Sequence, residues 1–211
     1  MRAFLAAVLL PAVLLPGTPI AAQSRVGVGV EFGYTRADLD GSDGKASQYR
    51  SGAVGGVFLE LHLSRKIAIT FGPSLAQKGG IAPVAGTQDS DLVIDLVTID
   101  LPLFVRARLP LGTFALLLEA GGVPGFRIGC NLELQQGNVP SSRLPCNDPT
   151  LVPVGTFAPW DIAVAGGVGV GIPVAGSEVG LKLRGARGFI PVIESRDIYN
   201  RSFSIILTLP F

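Results

Sequence analysis

"NRSFSIILTLPF", residues 200–211, closes the sequence on an aromatic side chain. Phe203, Ile205, Leu207, Leu209 and Phe211 share one side of a period-2 pattern. Ser202, Ser204, Thr208 and Pro210 share the other, with Ile206 as the exception. Chain ends are ordinarily frayed and polar, and an apolar strand left at a sheet edge is an aggregation site. A sequence that stops in mid-strand, apolar to its last residue, needs something to cover both that edge and that face.

Composition narrows what the cover can be. Mean hydropathy is +0.49, and 16% of residues are charged, where soluble domains carry about 25%. After the first residues no uncharged apolar run of helix-spanning length occurs, and helix-period stripes are missing. An apolar chain without a spanning helix has one other membrane solution, a closed β-barrel. At the start, Met1-Arg2 and the apolar run 3–15 precede Pro16, Gly17 and Pro19. That run is too short to span as a helix, so residues 1–22 read as a cleaved export signal and 23–211 as one barrel domain. Formal net charge is +1, which offers no nucleic-acid surface.

Alternation over about ten residues, ended by turn residues, marks each spanning strand. "RVGVGVEFGYT" (25–35) sets Val26, Val28, Val30, Phe32 and Tyr34 on one face, and a polar loop follows. "SGAVGGVFLELHL" (51–63) turns Val57, Leu59, Leu61 and Leu63 outward. A tight "SRK" link leads to "IAITFGPSLAQKG" (67–79), with Ile67, Ile69, Phe71 and Leu75 outward. A loop over 80–91 precedes "LVIDLVTIDLPLFVRAR" (92–108), and after a short link comes "TFALLLEAGGVPGFRIG" (113–129). A long loop at 129–149 leads to "PWDIAVAGGVGVGIPV" (159–174), then a turn at 175–176, "EVGLKLRGARGF" (178–189), and the terminal strand. The expectation is an all-β, eight-stranded antiparallel up-and-down transmembrane β-barrel, its long and short connections alternating between the two ends. Tyr34, Phe126, Trp160 and Phe189 fall by the long loops, with Phe114 and Phe211 at the opposite end, as two interfacial belts require. Arg187 is an outward charge, placed near the outer interface where it could reach a lipid phosphate. Pro73, Pro102, Pro124 and Pro210 fall within these strands and imply local bends.

By parity a mixed set of charges points inward: Glu31, Glu60, Lys78, Asp100, Arg106, Arg108, Glu119, Arg127, Asp161, Lys182 and Arg184. Buried charges need partners, so the set reads as an ion-paired plug in a narrow barrel; a charged ion path is the alternative. Cys130 and Cys146 lie in "GCNLELQQGNVPSSRLPCNDP". An exported chain meets an oxidising compartment, which favours a local disulfide over two free thiols. Their spacing fits no zinc pattern. "DLDGSDG" (38–44) has the carboxylate density of a calcium loop but departs from the EF-hand template, and reads as a solvated hairpin tip. "GGVGVG" in the sixth strand has neither the spacing nor the helix of a dinucleotide motif. His62, with Glu60 and Ser64, is the only constellation resembling a hydrolase, and it lacks a nucleophile elbow.

These residues resemble the PorT-like outer-membrane β-barrel family. "GGVFLELHLSRKIAITFGPSLAQKGG" is similar to that family's second hairpin, "VTIDLPLFVRARL" to its strand with an apolar-Pro core, and Asn200-Arg201-Ser202-Phe203-Ser204 to its last strand. The seventh strand departs, with "LKLRGARG" where relatives show an Asp and an Arg-Tyr pair. The resemblance implies a bacterial outer-membrane location and makes Phe211 the C-terminal aromatic that the assembly machinery reads. Closure would then pair the last strand with the first. The expected function is non-enzymatic, structural or surface-interacting, without cofactor or metal. Outer-membrane lipid and the barrel assembly machinery are the expected partners, with an envelope or extracellular protein partner left open and the protein taken as a monomer. A narrow passive pore and an outer-membrane lipid-modifying enzyme are the alternatives.

Overall fold

A computed structural model describes residues 26–42, 47–83, 90–136, 139–146, 148, 156–174 and 177–211. The expected export signal, residues 1–22, lies outside them, as do part of the 38–44 segment and the 175–176 turn. The strands are β1 (Val26–Asp40), β2 (Arg50–His62), β3 (Ile67–Phe71), β4 (Ser74–Pro83), β5 (Ser90–Asp100) and β6 (Leu103–Leu111). They continue with β7 (Phe114–Gln136), β8 (Val139–Pro145), β9 (Trp160–Val174), β10 (Ser177–Gly188) and β11 (Tyr199–Pro210). All pairings are antiparallel.

The sheet closes on itself. β1 pairs with β2 on one side and with β11 on the other, from Gly29↔Pro210 to Asp40↔Tyr199. The terminal strand therefore has no free edge. Its last amide, that of Phe211, donates to the Val28 carbonyl at 2.9 Å.

The described residues form eleven strands where alternation alone counted eight, and prolines account for two of the three additions. The ladder of β2 passes from Leu59↔Phe71 on β3 to Gly56↔Ser74 on β4. On the neighbouring stave, β7 passes from Leu103↔Gly122 to Asp100↔Gly125. Gly72-Pro73 and Leu101-Pro102 occupy these two breaks, side by side. Pro124 sits opposite the second break, where its missing N–H costs no ladder bond, and its carbonyl accepts from Leu101 N–H at 2.8 Å. The third addition corrects the reading of 129–149 as a loop. β7 runs 23 residues, about twice what crosses a bilayer, and β8 folds back on it to form a hairpin. Likewise β1 extends through Asp38 and Asp40, where the sequence suggests a polar loop, and the loop expected over 80–91 shrinks because β4 and β5 reach into it.

Burial is inverted relative to a soluble sheet. β9 alternates strictly at its start, with Trp160, Ile162 and Val164 exposed and Asp161, Ala163 and Ala165 buried. Val28, Phe32, Val57, Leu75, Val105, Val168, Leu183 and Ile205 are all exposed, while Glu31, Lys78, Asp100, Arg106, Glu119, Asp161 and Lys182 are buried. Ile206, the exception in the terminal pattern, points inward and is 1% exposed. Polar residues inside and apolar residues outside suit a closed sheet whose outer solvent is hydrocarbon.

Candidate functional site in the lumen

Inward parity brings charges from seven staves into layers along the axis. The central layer joins Glu31 of β1, Glu60 of β2, Arg106 of β6, Glu119 of β7 and Lys182 and Arg184 of β10. Lys182 Nζ donates to Glu119 Oε2 at 3.0 Å and lies 3.5 Å from Glu31 Oε2. Arg184 forks between Glu119 Oε1 (2.7 Å) and both Glu31 oxygens (3.2 and 3.1 Å). Arg106 donates to Glu60 Oε2 at 2.6 Å and lies 3.6 Å from Glu119. Three carboxylates thus meet three cations, and Glu119 touches every cation. Phe104 and Phe58 add ring faces under Arg184 (4.6 Å) and Arg106 (5.6 Å), contacts worth most where water is excluded.

Backbone economy makes room for these side chains. A Cβ at Gly169 would fall 2.7 Å from the Lys182 side chain, and one at Gly167 would fall 3.0 Å from that of Glu119. The inward glycines of "GGVGVG", Gly167 and Gly169, are thus hemmed in by the β10 carbonyls of Leu183 and Leu181 together with the long charged side chains of Glu119 and Lys182.

Toward the long-loop end, Phe104, Val123, Ala163 and Ala165 form a buried apolar layer. Beyond it Lys78 Nζ donates to Asp100 at 3.0 Å and lies 4.0 Å from Asp161, which accepts from Asn200 Nδ2 at 3.4 Å. Arg127 stands apart from both carboxylate groups and donates to the Phe157 carbonyl at 2.9 Å. Above it Leu39, Ile94, Leu96, Leu132, Phe157, Val192, Ile193 and Ile198 make a separate core, with Cys130 and Cys146 packed on it. The two cysteines form a disulfide that ties β7 to the residue after β8. Spaces within the two inner layers and beside Asp161 are about 40, 10 and 20 Å³, room for no more than a few waters.

The short-turn end differs. A cavity of about 510 Å³ opens there, lined among others by Glu60, His62, Arg106, Arg108, Glu178 and Phe211. Arg108 donates to Glu178 at 2.7 Å on this rim. Glu178 and Asn200 were missed as partners, although Glu178 shares parity with Lys182 and was legible on that ground. His62 lies 3.8 Å from Glu60. Ser64 Oγ accepts from the amides of Lys66 and Ile67 (3.2 and 3.0 Å), so it caps the turn rather than facing His62. In the 38–44 segment Asp38 pairs with Arg201 and Asp40 with Arg187. Among the described residues no His/Cys/Asp/Glu group is arranged to hold a metal ion.

The sequence matches the family model described as "Outer membrane protein beta-barrel domain" over residues 21–194. No curated protein matches it by sequence. Among solved structures it is similar to Neisserial surface protein A at 11% identity and a TM-score of 0.48, covering 87% of this chain and 97% of that one. OprG from Pseudomonas aeruginosa gives 12%, 0.45, 88% and 94% for the same quantities. The attachment invasion locus protein of Yersinia pestis, Ail, gives 10%, 0.42, 88% and 98%. These likenesses are distant, and the assignment rests on the family match.

Proposed function

Because the chain belongs to the outer membrane protein beta-barrel domain family, we propose that it is a non-conducting outer-membrane barrel of eight staves. Its lumen is held shut by ion pairs, and its long-loop end is displayed outside as a surface for interaction. The observation that carries this reading is the central layer, in which Glu119 contacts Lys182, Arg184 and Arg106 at once. A conducting path needs mobile ions to bind weakly and leave, whereas these charges are neutralised in place. The role is structural and non-catalytic, and the chain acts as a monomer. The hairpin and terminal-strand resemblances support a PorT-like place within the family, and Phe211, 77% exposed at the short-turn rim, suits recognition by the assembly machinery.

Planar-bilayer recording tests the reading. The folded protein is expected to give no unitary steps above the bare membrane, while Glu119→Ala/Arg184→Ala, which empties the middle of the lumen, gives small ones. Steady unitary conductance from the unaltered protein would contradict it.

A further inference from the structure

On the outer wall, two arginines stand above a gap. Arg187 of β10 and Arg201 of β11 are direct register partners, an unfavourable arrangement for like charges. Each is held by a carboxylate of β1, Arg187 by Asp40 at 3.1 Å and Arg201 by Asp38. One pair nearer the membrane centre, Arg36 of β1 faces Phe203 across the ladder and is exposed. The Arg36 guanidinium lies over the Tyr49 ring at 5.1 Å, so three guanidiniums stand at the edge of the apolar wall, two of them on carboxylates, and the side chain of Arg187 remains 61% exposed.

Directly beneath Arg187 and Arg201 lies a groove of about 450 Å³, walled by Val164 and Phe203 and floored by Gly166 and Gly185. The two glycines are register partners. Neither has a left-handed backbone. A Cβ at Gly166 would meet nothing closer than the Glu119 carbonyl at 3.7 Å, and one at Gly185 only the Phe203 ring at 3.7 Å. The inward glycines of β9, Gly167 and Gly169, are imposed by neighbouring backbone carbonyls and by Glu119 and Lys182; these outward ones are imposed by nothing inside the barrel. Filling them would be tolerated, yet the wall is open where it runs under a cationic roof.

We propose that this groove holds one acyl chain of a phosphorylated lipid of the external leaflet, with the phosphate on the Arg187 and Arg201 guanidiniums. Guanidinium forks match phosphate oxygens, and the exposed Arg187 side chain can turn to an anionic headgroup at the interface. A partly buried chain replaces bulk lipid contacts that a smooth wall would make elsewhere. The proposal rests on the long-loop end facing outward.

Native mass spectrometry of the full chain released in detergent tests it, with diphosphoryl lipid A as probe and its dephosphorylated form and inorganic phosphate as comparators. One retained diphosphoryl lipid A per chain is expected, with retention weakened severalfold on dephosphorylation and undisturbed by millimolar phosphate. Arg187→Gln weakens it by about fivefold, and Gly185→Leu, which fills the groove, by about tenfold. Equal retention of the dephosphorylated lipid would overturn the proposal, as would displacement by phosphate alone or a Gly185→Leu protein that keeps its lipid. Should Gly185→Leu fail to show the heat-modifiable gel band of a folded barrel, Gly166→Ala takes its place, with the same expected direction. Bilayer conductance is unaffected by either result, so failure here is distinct from failure of the sealed-lumen reading.

Discussion

At the scale of single residues, period-2 parity decided which side chains face the lumen, and it could do no more. It put Glu119, Lys182 and Arg184 on the inner face, but pairing depends on stagger between strands, which one strand's pattern does not contain. Asn200 shows the limit: it reads as a polar residue before the last strand, and only the β11 register brings it to Asp161. Because Glu119 is buried among three cations, Glu119→Gln leaves them undercompensated in a low-dielectric space. A loss of about 3–5 kcal/mol is expected, read from urea unfolding in lipid vesicles; a loss under about 1 kcal/mol would remove the central layer from the account. Glycines separate the two faces in the same assay. Gly169→Val drives a branched side chain into Lys182 and is expected to cost about 1–3 kcal/mol. Gly166→Val, facing outward into open space, is expected to stay within about 0.5 kcal/mol of the parent.

Elements were legible in type and order more than in number or extent. The staves through Ile67 and Leu92 look continuous in sequence because their alternation survives the prolines. The ladders break at Pro73 and Pro102 because each lacks the N–H a central strand must donate. The stretch around the cysteines misled for another reason. Its Pro, Ser and Asn content suggests a loop, yet the strand goes on past a bulge opposite Val97 and Thr98 that turns Cys130 and Leu132 inward, and β8 returns to pair with it. The disulfide closes a segment with a sequence separation of 16, for which chain entropy suggests roughly 3 kcal/mol. That stabilisation should be local. Cys130→Ser/Cys146→Ser is expected to speed tryptic cleavage after Arg143 severalfold while leaving the heat-modifiable gel shift unchanged. Unchanged cleavage would mean that the Leu132 core holds the hairpin unaided.

For the whole molecule, closure answers the question posed by the terminal sequence. Phe203, Ile205 and Leu207 belong to a strand bonded on both sides, and the face they share is the outer wall of a ring. Composition already excluded a helical span, and alternation excluded a core of ordinary polarity; the apolar cap over the long-loop end was not legible, because Leu39, Phe157 and Ile193 come from segments with no common period. The most direct measurement uses the single tryptophan of the sequence, moved from the rim to mid-wall as Trp160→Phe/Val168→Trp. In vesicles its emission should be blue-shifted, quenched by lipids brominated near the chain ends, and indifferent to iodide. Red-shifted emission quenched by iodide would put water against the valine and leucine face, and the account of an ion-sealed barrel in lipid would be wrong.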